Sequence, residues 1–338
     1  MDRRLVLGAL ASLGLAQGVG AGPRVGARLA DAAEAIRARE AIPAMGLGVV
    51  DRGETVLVRG FGGAGERDRF RAASISKVFT AQAIMMLVED GNLSLDDDVA
   101  RWAPGFEDRD LTVRHLLTHR AGLRDAVFPV ENNEHARLAA YLRLLAAQAP
   151  AALPGAAYGY ADAHYNLLGG VVSAASGESC AAFVQRRLIA PLRLAETSPF
   201  PPPVARQAIV PPTSSRPPRP FDIAFAPSEG LVTSARDLTA WVRATLRQDR
   251  RLLKPASFAA MITPQATTAA PGRAIGLGWQ LREEAGRRIA EHAGSIRGYS
   301  ALVLTYPDQR RGFVILTNAD DAPRWEIARQ LDSVLGAG

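Results

Sequence analysis

Ser74 and Lys77, in the run Phe70-Arg71-Ala72-Ala73-Ser74-Ile75-Ser76-Lys77, are the first residues whose types and spacing suggest chemistry. If a helix starts at or near Ser74, a residue three positions on lies about 60° around the axis, so the Lys77 ammonium reaches the Ser74 hydroxyl. Such a pair can carry nucleophilic catalysis. A serine at a helix start faces free backbone N–H groups, and a desolvated lysine near other cations can lose its proton and act as a base. A serine N-cap followed by a solvated lysine is spelled the same way, so Ser-x-x-Lys alone is a weak signal. Composition sharpens it: of 40 Lys and Arg residues only Lys77 and Lys254 are lysines, and almost any chance basic residue would have been arginine.

A second signal lies in 154–169, where a loop presents Tyr160 just before an apolar helical pattern. That position suits a phenol that shuttles protons once cationic neighbours favour its ionised form, although a tyrosine packing the helix start is spelled the same way. The third is Glu291-His292-Ala293-Gly294-Ser295-Ile296-Arg297-Gly298-Tyr299, an expected strand that ends in a histidine and reaches Gly294, where a backbone N–H can approach a substrate closely.

Other candidates are weaker. His115 and His119 are spaced i,i+4 and would share a helix face as zinc ligands do, but the run lacks the glutamate of a metalloprotease helix, and packing accounts for it better. The single cysteine, Cys180, can form no intramolecular disulfide and reads as a small buried hydrophobe. Gly177-Glu178-Ser179-Cys180-Ala181 nearly matches a nucleophile elbow, yet it lies between two helical patterns and reads as a helix-start serine. No metal and no organic cofactor is expected.

The elements that must hold these residues change along the chain. Residues 26–40 have helical spacing with Leu29, Ala33 and Ile36 on one face, and 46–50 and 55–60 read as strands joined through Asp51-Arg52-Gly53. Helical patterns follow at 74–90, 112–120, 134–148, 163–176, 179–190 and 234–247, with Thr112 and Ser234 as N-caps. Residues 198–221 carry nine prolines and read as an irregular, stiff excursion, either an interdomain linker or one wall of a cleft. Strand patterns return at 276–282, 287–292, 299–306 and 312–317, with a turn at Pro307-Asp308-Gln309, and 322–335 is a closing helix.

The fold expected is α/β of the α+β type: an antiparallel sheet flanked by the terminal helices, with a large, mostly helical subdomain inserted. The boundaries read as 22–73 with 249–338 for the sheet part and 74–248 for the helical part. No fixed-period repeat is present, which argues against solenoids and propellers.

With 338 residues, 48% apolar and 22% charged, the chain is not a disordered, collagen-like or polytopic membrane protein. The net charge of +6 raises nucleic acid as a partner, but no Lys/Arg run of five or more occurs and acidic residues are interspersed, so none is expected. Met1-Asp2-Arg3-Arg4, the apolar run Leu5 to Ala16 and the small residues Val19-Gly20-Ala21 read as a removable signal peptide over 1–21. Its paired arginines fit a twin-arginine signal and its length fits an ordinary Sec signal equally. Either implies a periplasmic or secreted protein with no stable membrane span after removal.

In this order and with these separations the three signals resemble the serine β-lactamase-like superfamily: class C β-lactamases, D-alanyl-D-alanine carboxypeptidases of the same branch and family VIII esterases. The resemblance runs from about residue 26 to 335. It includes Leu93-Ser94-Leu95-Asp96-Asp97, the run 111–119 followed by Gly122-Leu123, and the run 230–238. It implies that Ser74 is the acylated nucleophile and that Lys77 and Tyr160 share the proton transfers. His292 would stand where the family has the lysine of Lys-Thr-Gly. The backbone N–H groups of Ser74 and Ser295 would form the oxyanion hole, and Asp162 and Gly294 would border the substrate.

Two departures matter. The family's Tyr-x-Asn appears as Tyr160-Ala161-Asp162, which replaces an amide donor by an acceptor-only carboxylate. His292 in place of lysine makes the charge facing a substrate carboxylate conditional on pH, so activity on carboxylate-bearing substrates is expected to vary across roughly pH 5–8. Arg297 could supply the missing charge, though a solvated surface arginine is the plainer account. The activity expected is hydrolysis of small-molecule esters through Ser74, with β-lactams or peptidoglycan-type D-amino-acid peptides as alternative substrates. A catalytically silent cell-wall-binding protein is the contrasting possibility, and the oligomeric state is not legible.

Overall fold

The computed structural model describes residues 23–126, 137–207, 209–213 and 220–336. The expected signal segment therefore lies outside the described residues, as does His135. Eight strands form one antiparallel sheet in the order β2-β1-β10-β9-β8-β7-β6-β5. They are β1 (Met45–Asp51), β2 (Glu54–Phe61), β5 (Ala266–Thr267), β6 (Arg273–Ile275), β7 (Gln280–Glu284), β8 (Arg287–Ile296), β9 (Tyr299–Tyr306) and β10 (Arg311–Thr317). Two short strands, β3 (Arg69–Arg71) and β4 (Val232–Ser234), pair separately.

The alternation of apolar side chains along the central strands decides what covers each face. Leu47 and Val49 of β1, Leu302 and Leu304 of β9 and Phe313 and Ile315 of β10 pack with Leu29, Ala33 and Ile36 of the helix Pro23–Arg39 and Ile327 and Leu331 of the helix Arg324–Gly336. The intervening residues Val303, Val314 and Leu316 join the larger core with Leu238, Trp241 and Val242 of the helix Ala235–Leu246. That helix, grouped by its pattern with the segment 74–248, lies on the sheet against β1 and β10. It can approach because Gly48 has no side chain: a Cβ there would overlap the Thr239 hydroxyl.

Behind the sheet stands the helix Ser76–Glu89, buried on nearly every side from Ser76 to Leu87. It is apolar all round, as a central core helix must be, and the helix Asp162–Ser176 packs against it.

Several sequence expectations change in detail. Of the strand expected at 276–282 only the end is strand, the start of β7; the residues before it form a tight turn from β6 in which Gly276 N–H donates to Trp279 O at 2.8 Å. The strand expected at 287–292 continues to Ile296 and pairs with β9 from Ala290 to Ile296. The helix expected at 112–120 is only Val113–Leu117, closed at its start by Thr112 and His115 in a reciprocal capping box. The 179–190 pattern starts from a Ser179 cap that accepts Ala182 N–H, and continues through a wider turn at Gln185–Ile189. The helix Pro255–Met261 had no expectation. The described part of the Pro-rich excursion runs along β3, where Val210 N–H donates to Arg69 O, and reaches the β8–β9 hairpin, where Tyr299 Oη donates to Val210 O.

Candidate active site

Ser74 lies in a single 3₁₀ turn, Ala73–Ile75, that feeds directly into the Ser76–Glu89 helix. The turn is fixed from both ends. Upstream, β3 pairs with β4 and Ala72 N–H donates to Leu231 O at 2.9 Å. Downstream, Ser76 Oγ donates to Ala73 O at 2.6 Å and accepts Leu231 N–H at 2.9 Å. Between them Ala73 has φ +46°, a left-handed conformation that a residue with a side chain rarely adopts and that is held only by its surroundings.

Lys77 points from the first turn of the helix at Ser74. Its side chain is 0% exposed, and its Nζ donates to Ser74 Oγ at 3.0 Å, Asp162 Oδ1 at 2.6 Å and Ser228 O at 3.1 Å. An ammonium has three donors, and these acceptors match them. Burial works against the charge, but the Tyr160 phenol and the Asp162 carboxylate outweigh it and hold Lys77 above the ordinary lysine range. The expectation of a lysine made neutral by its surroundings is therefore not met: the Tyr160 phenol and then the Asp162 carboxylate, which stands where the resembled pattern has an uncharged amide, favour the protonated form.

Asp162 can turn toward Lys77 because another carboxylate caps its helix. Asp125 Oδ1 accepts Ala163 N–H at 2.7 Å at the start of Asp162–Ser176. The Asp162 side chain remains 24% exposed. Tyr160, two residues earlier, is 44% exposed, with its ring 5.0 Å from Lys77 Nζ and 6.5 Å from the His292 ring.

The opposite rim is β8. His292 is buried, its Nδ1 is 2.9 Å from Ala293 O, and burial followed by the nearby Lys77 charge pushes it down to about 3. It is neutral throughout pH 5–8, which corrects the expectation of a charge that switches there. Ile296 and Tyr299 close a two-residue turn, so they exchange hydrogen bonds and Ser295, the next residue back, directs its N–H away from β9. On that side β7 ends at the Gln280–Glu291 pair, which leaves the edge open. Gly294 brings β8 against the nucleophile turn: a Cβ there would overlap Ala72 O and lie 3.2 Å from Ser74 N.

Two side chains that sequence reasoning passed over brace this rim. Glu291, fully buried, accepts from Arg273 at 3.0 Å, Arg282 at 3.2 Å and Trp325 Nε1 at 3.2 Å. Arg324 donates through Nη1 to Gly294 O, to Ser295 Oγ at 3.0 Å and to Ala301 O at 3.1 Å. Arg297 sits exposed in the turn at the hairpin tip.

His115 and His119 do not share a helix face. The helix ends at Leu117, His119 has φ +53°, and its ring turns toward Tyr160 while His115 caps its own helix. Among the described residues no group of three or more His, Cys, Asp or Glu is placed to hold a metal ion. Cys180 is buried, and burial pushes its thiol up to about 12.

A serine hydroxyl, a buried lysine, a phenol and a free strand edge thus converge from three separated stretches of chain. The sequence matches the Beta-lactamase family over residues 29–336. The chain belongs to that family. It is 27% identical over 284 residues to Penicillin-binding protein 4* of Bacillus subtilis, covering 77% of this chain and 62% of that protein. Protein flp of Staphylococcus aureus is 24% identical over 313 residues, covering 82% and 60%. The Beta-lactamase-family chain therefore spans about three fifths of the length of these curated relatives. An octameric penicillin-binding protein homologue from Pyrococcus abyssi superposes with a TM-score of 0.79 at 24% identity, covering 92% of this chain and 77% of that one. A class C beta-lactamase gives 0.79 at 19% identity, covering 91% and 96%, and at such identities the likeness is one of fold.

Proposed function

We propose that the protein hydrolyses neutral carboxylic esters through an acyl-enzyme on Ser74. The observation that carries this reading is the Lys77 ammonium 3.0 Å from Ser74 Oγ inside a charge-balanced cluster with Asp162. As Oγ attacks the ester carbonyl, the Ser74 proton passes to the Lys77–Tyr160 pair, which shares the proton transfers. The tetrahedral oxyanion is met by the N–H groups of Ser74 and Ser295. As the C–O bond breaks, the pair returns the proton to the leaving alkoxide, and water then releases the acid by the same steps in reverse order.

Substrate preference follows from charge. Lys77 and Asp162 cancel and His292 is neutral, so this cluster offers a substrate carboxylate no net attraction. The second reading, β-lactam or D-amino-acid peptide hydrolysis, is favoured by the names of the similar proteins, a penicillin-binding protein and a class C beta-lactamase. Initial rates on short-chain p-nitrophenyl esters and on nitrocefin, each set against Ser74→Ala, decide between them. Ester turnover lost in the variant supports the first reading and dominant nitrocefin turnover the second. Turnover of neither, with no labelling of Ser74, supports a silent cell-wall-binding protein. The 1–21 segment supports a periplasmic or secreted location, which fractionation of cells expressing the full chain tests.

A further inference from the structure

The loop that presents Tyr160 is tied to one residue on both sides. Gly159 N–H donates to His119 O at 2.8 Å, and Ala161 N lies 3.4 Å from His119 Nδ1. The His119 ring also lies 4.4 Å from the Tyr160 ring at an interplanar angle of 32°. Tyr160 is 44% exposed whereas His119 is 1% exposed, so a part-exposed phenol rests on a buried imidazole.

His119 is itself tightly fixed. The Tyr165 ring is 5.1 Å away, the Tyr158 ring 5.9 Å, and His164 Nδ1 is 2.9 Å from His119 Nδ1. Lys77 and His292 are the charged or titratable groups beyond this shell. Burial, then His164, then Lys77, drive His119 well below the ordinary histidine range, and His164 is pushed down to about 4, so both rings are neutral. One arrangement of protons satisfies the contacts: His164 Nδ1–H donates, and His119 Nδ1 accepts from it and from Ala161 N–H. It leaves His164 Nε2 as a bare lone pair, and that atom is buried without a partner among the described residues. A buried acceptor left unpaired is more tolerable than a buried donor.

We propose that His119 is a positioning residue for Tyr160: its carbonyl and Nδ1 fix the peptides on either side of the phenol, and its ring is the platform that holds the phenol over Lys77. The inference rests on the reading of Ser74 as nucleophile, and its test is arranged so that the two can fail separately.

The rate of Ser74 labelling by a fluorophosphonate, and kcat and KM on p-nitrophenyl acetate, are measured for the wild type, His119→Phe, His119→Asn, Tyr160→Phe and the His119→Phe/Tyr160→Phe pair. His119→Phe keeps a ring but has no acceptor, so labelling and kcat should fall about 10- to 100-fold with KM changed less than about twofold. Asn offers an acceptor and tolerates a positive φ but has no ring, so His119→Asn should restore part of that loss. In the Tyr160→Phe background His119→Phe should have almost no further effect, because its action passes through the phenol. Losses that multiply undiminished in that background, or an Asn variant as poor as the Phe variant, would overturn the role of His119. Absence of labelling in the wild type would overturn the Ser74 reading itself.

Discussion

Lys77 Nζ and Asp162 Oδ1 lie 2.6 Å apart with the lysine side chain wholly buried, and this pair sets the electrical character of the cleft. An amide at 162 would leave an uncompensated cation beside Ser74. The carboxylate makes the pair neutral and keeps the proton on the lysine.

Replacing Asp162 by Asn removes the counter-charge but not the shape. The cation then attracts anionic substrates, and the ratio of kcat/KM for nitrocefin, which carries a carboxylate, to that for p-nitrophenyl acetate should rise about tenfold, or about 1.4 kcal/mol. An unchanged ratio would show that the pair does not govern preference.

The neutral His292 gives a pH prediction opposite to the one its residue type suggests. Its folded-state value, about 3, lies below the whole working range. The ratio of rates on carboxylate-bearing and neutral esters should stay flat from pH 5 to 8. A sigmoidal step in that ratio with a midpoint near 6.5 would mean that His292 titrates in the cleft.

Stability should be lost on the acid side before the surface carboxylates titrate. His119, His164 and His292 are depressed below their unfolded value of 6.5, so the unfolded chain binds more protons as pH falls through 6.5 toward 4. Asp237 acts in the opposite sense: burial pushes it up to about 6, so the folded state gains its proton first. His115 is lowered and Asp125 raised by burial in the same way, and with each group changing stability by at most about 1.4 kcal/mol per pH unit, four histidines against two carboxyl groups leave a net loss. Urea midpoints should fall from pH 6.5 to 4.5, and a constant midpoint would contradict the neutral histidines.

Gly294→Ala places a methyl group against Ala72 O. Overpacking of this kind costs about 1–3 kcal/mol, and displacing Ser74 N from the rim should lower kcat by about 100-fold. Thermal melting with ester kinetics checks both, and a fully active variant would show that β8 does not set the position of the nucleophile turn.

Much of the frame was legible because the terminal helices and long strands each bury one face, and that burial writes a period into the chain. Leu29, Ala33 and Ile36, and the alternation in β9, are of this kind. The 276–282 segment misled because Leu277, Trp279 and Leu281 alternate as a strand would while Gly276 to Trp279 form a turn. Ser74 and Lys77 were legible because they are neighbours on one turn of chain. The partner of Lys77 was not, since Asp162 is 85 residues away and a contact across that distance leaves no local spacing. His119 was assigned to a helix that ends two residues earlier, and only the positive φ that follows turns its ring to Tyr160.

The central claim is that Ser74 carries the acyl group. The direct measurement is intact-protein mass after mixing with p-nitrophenyl acetate and quenching in acid within the first turnovers, followed by peptide mapping. An acetyl adduct on the peptide containing Ser74, absent in Ser74→Ala, is the result predicted. Sustained ester turnover with no adduct on Ser74, or an adduct that survives in Ser74→Ala, would contradict it.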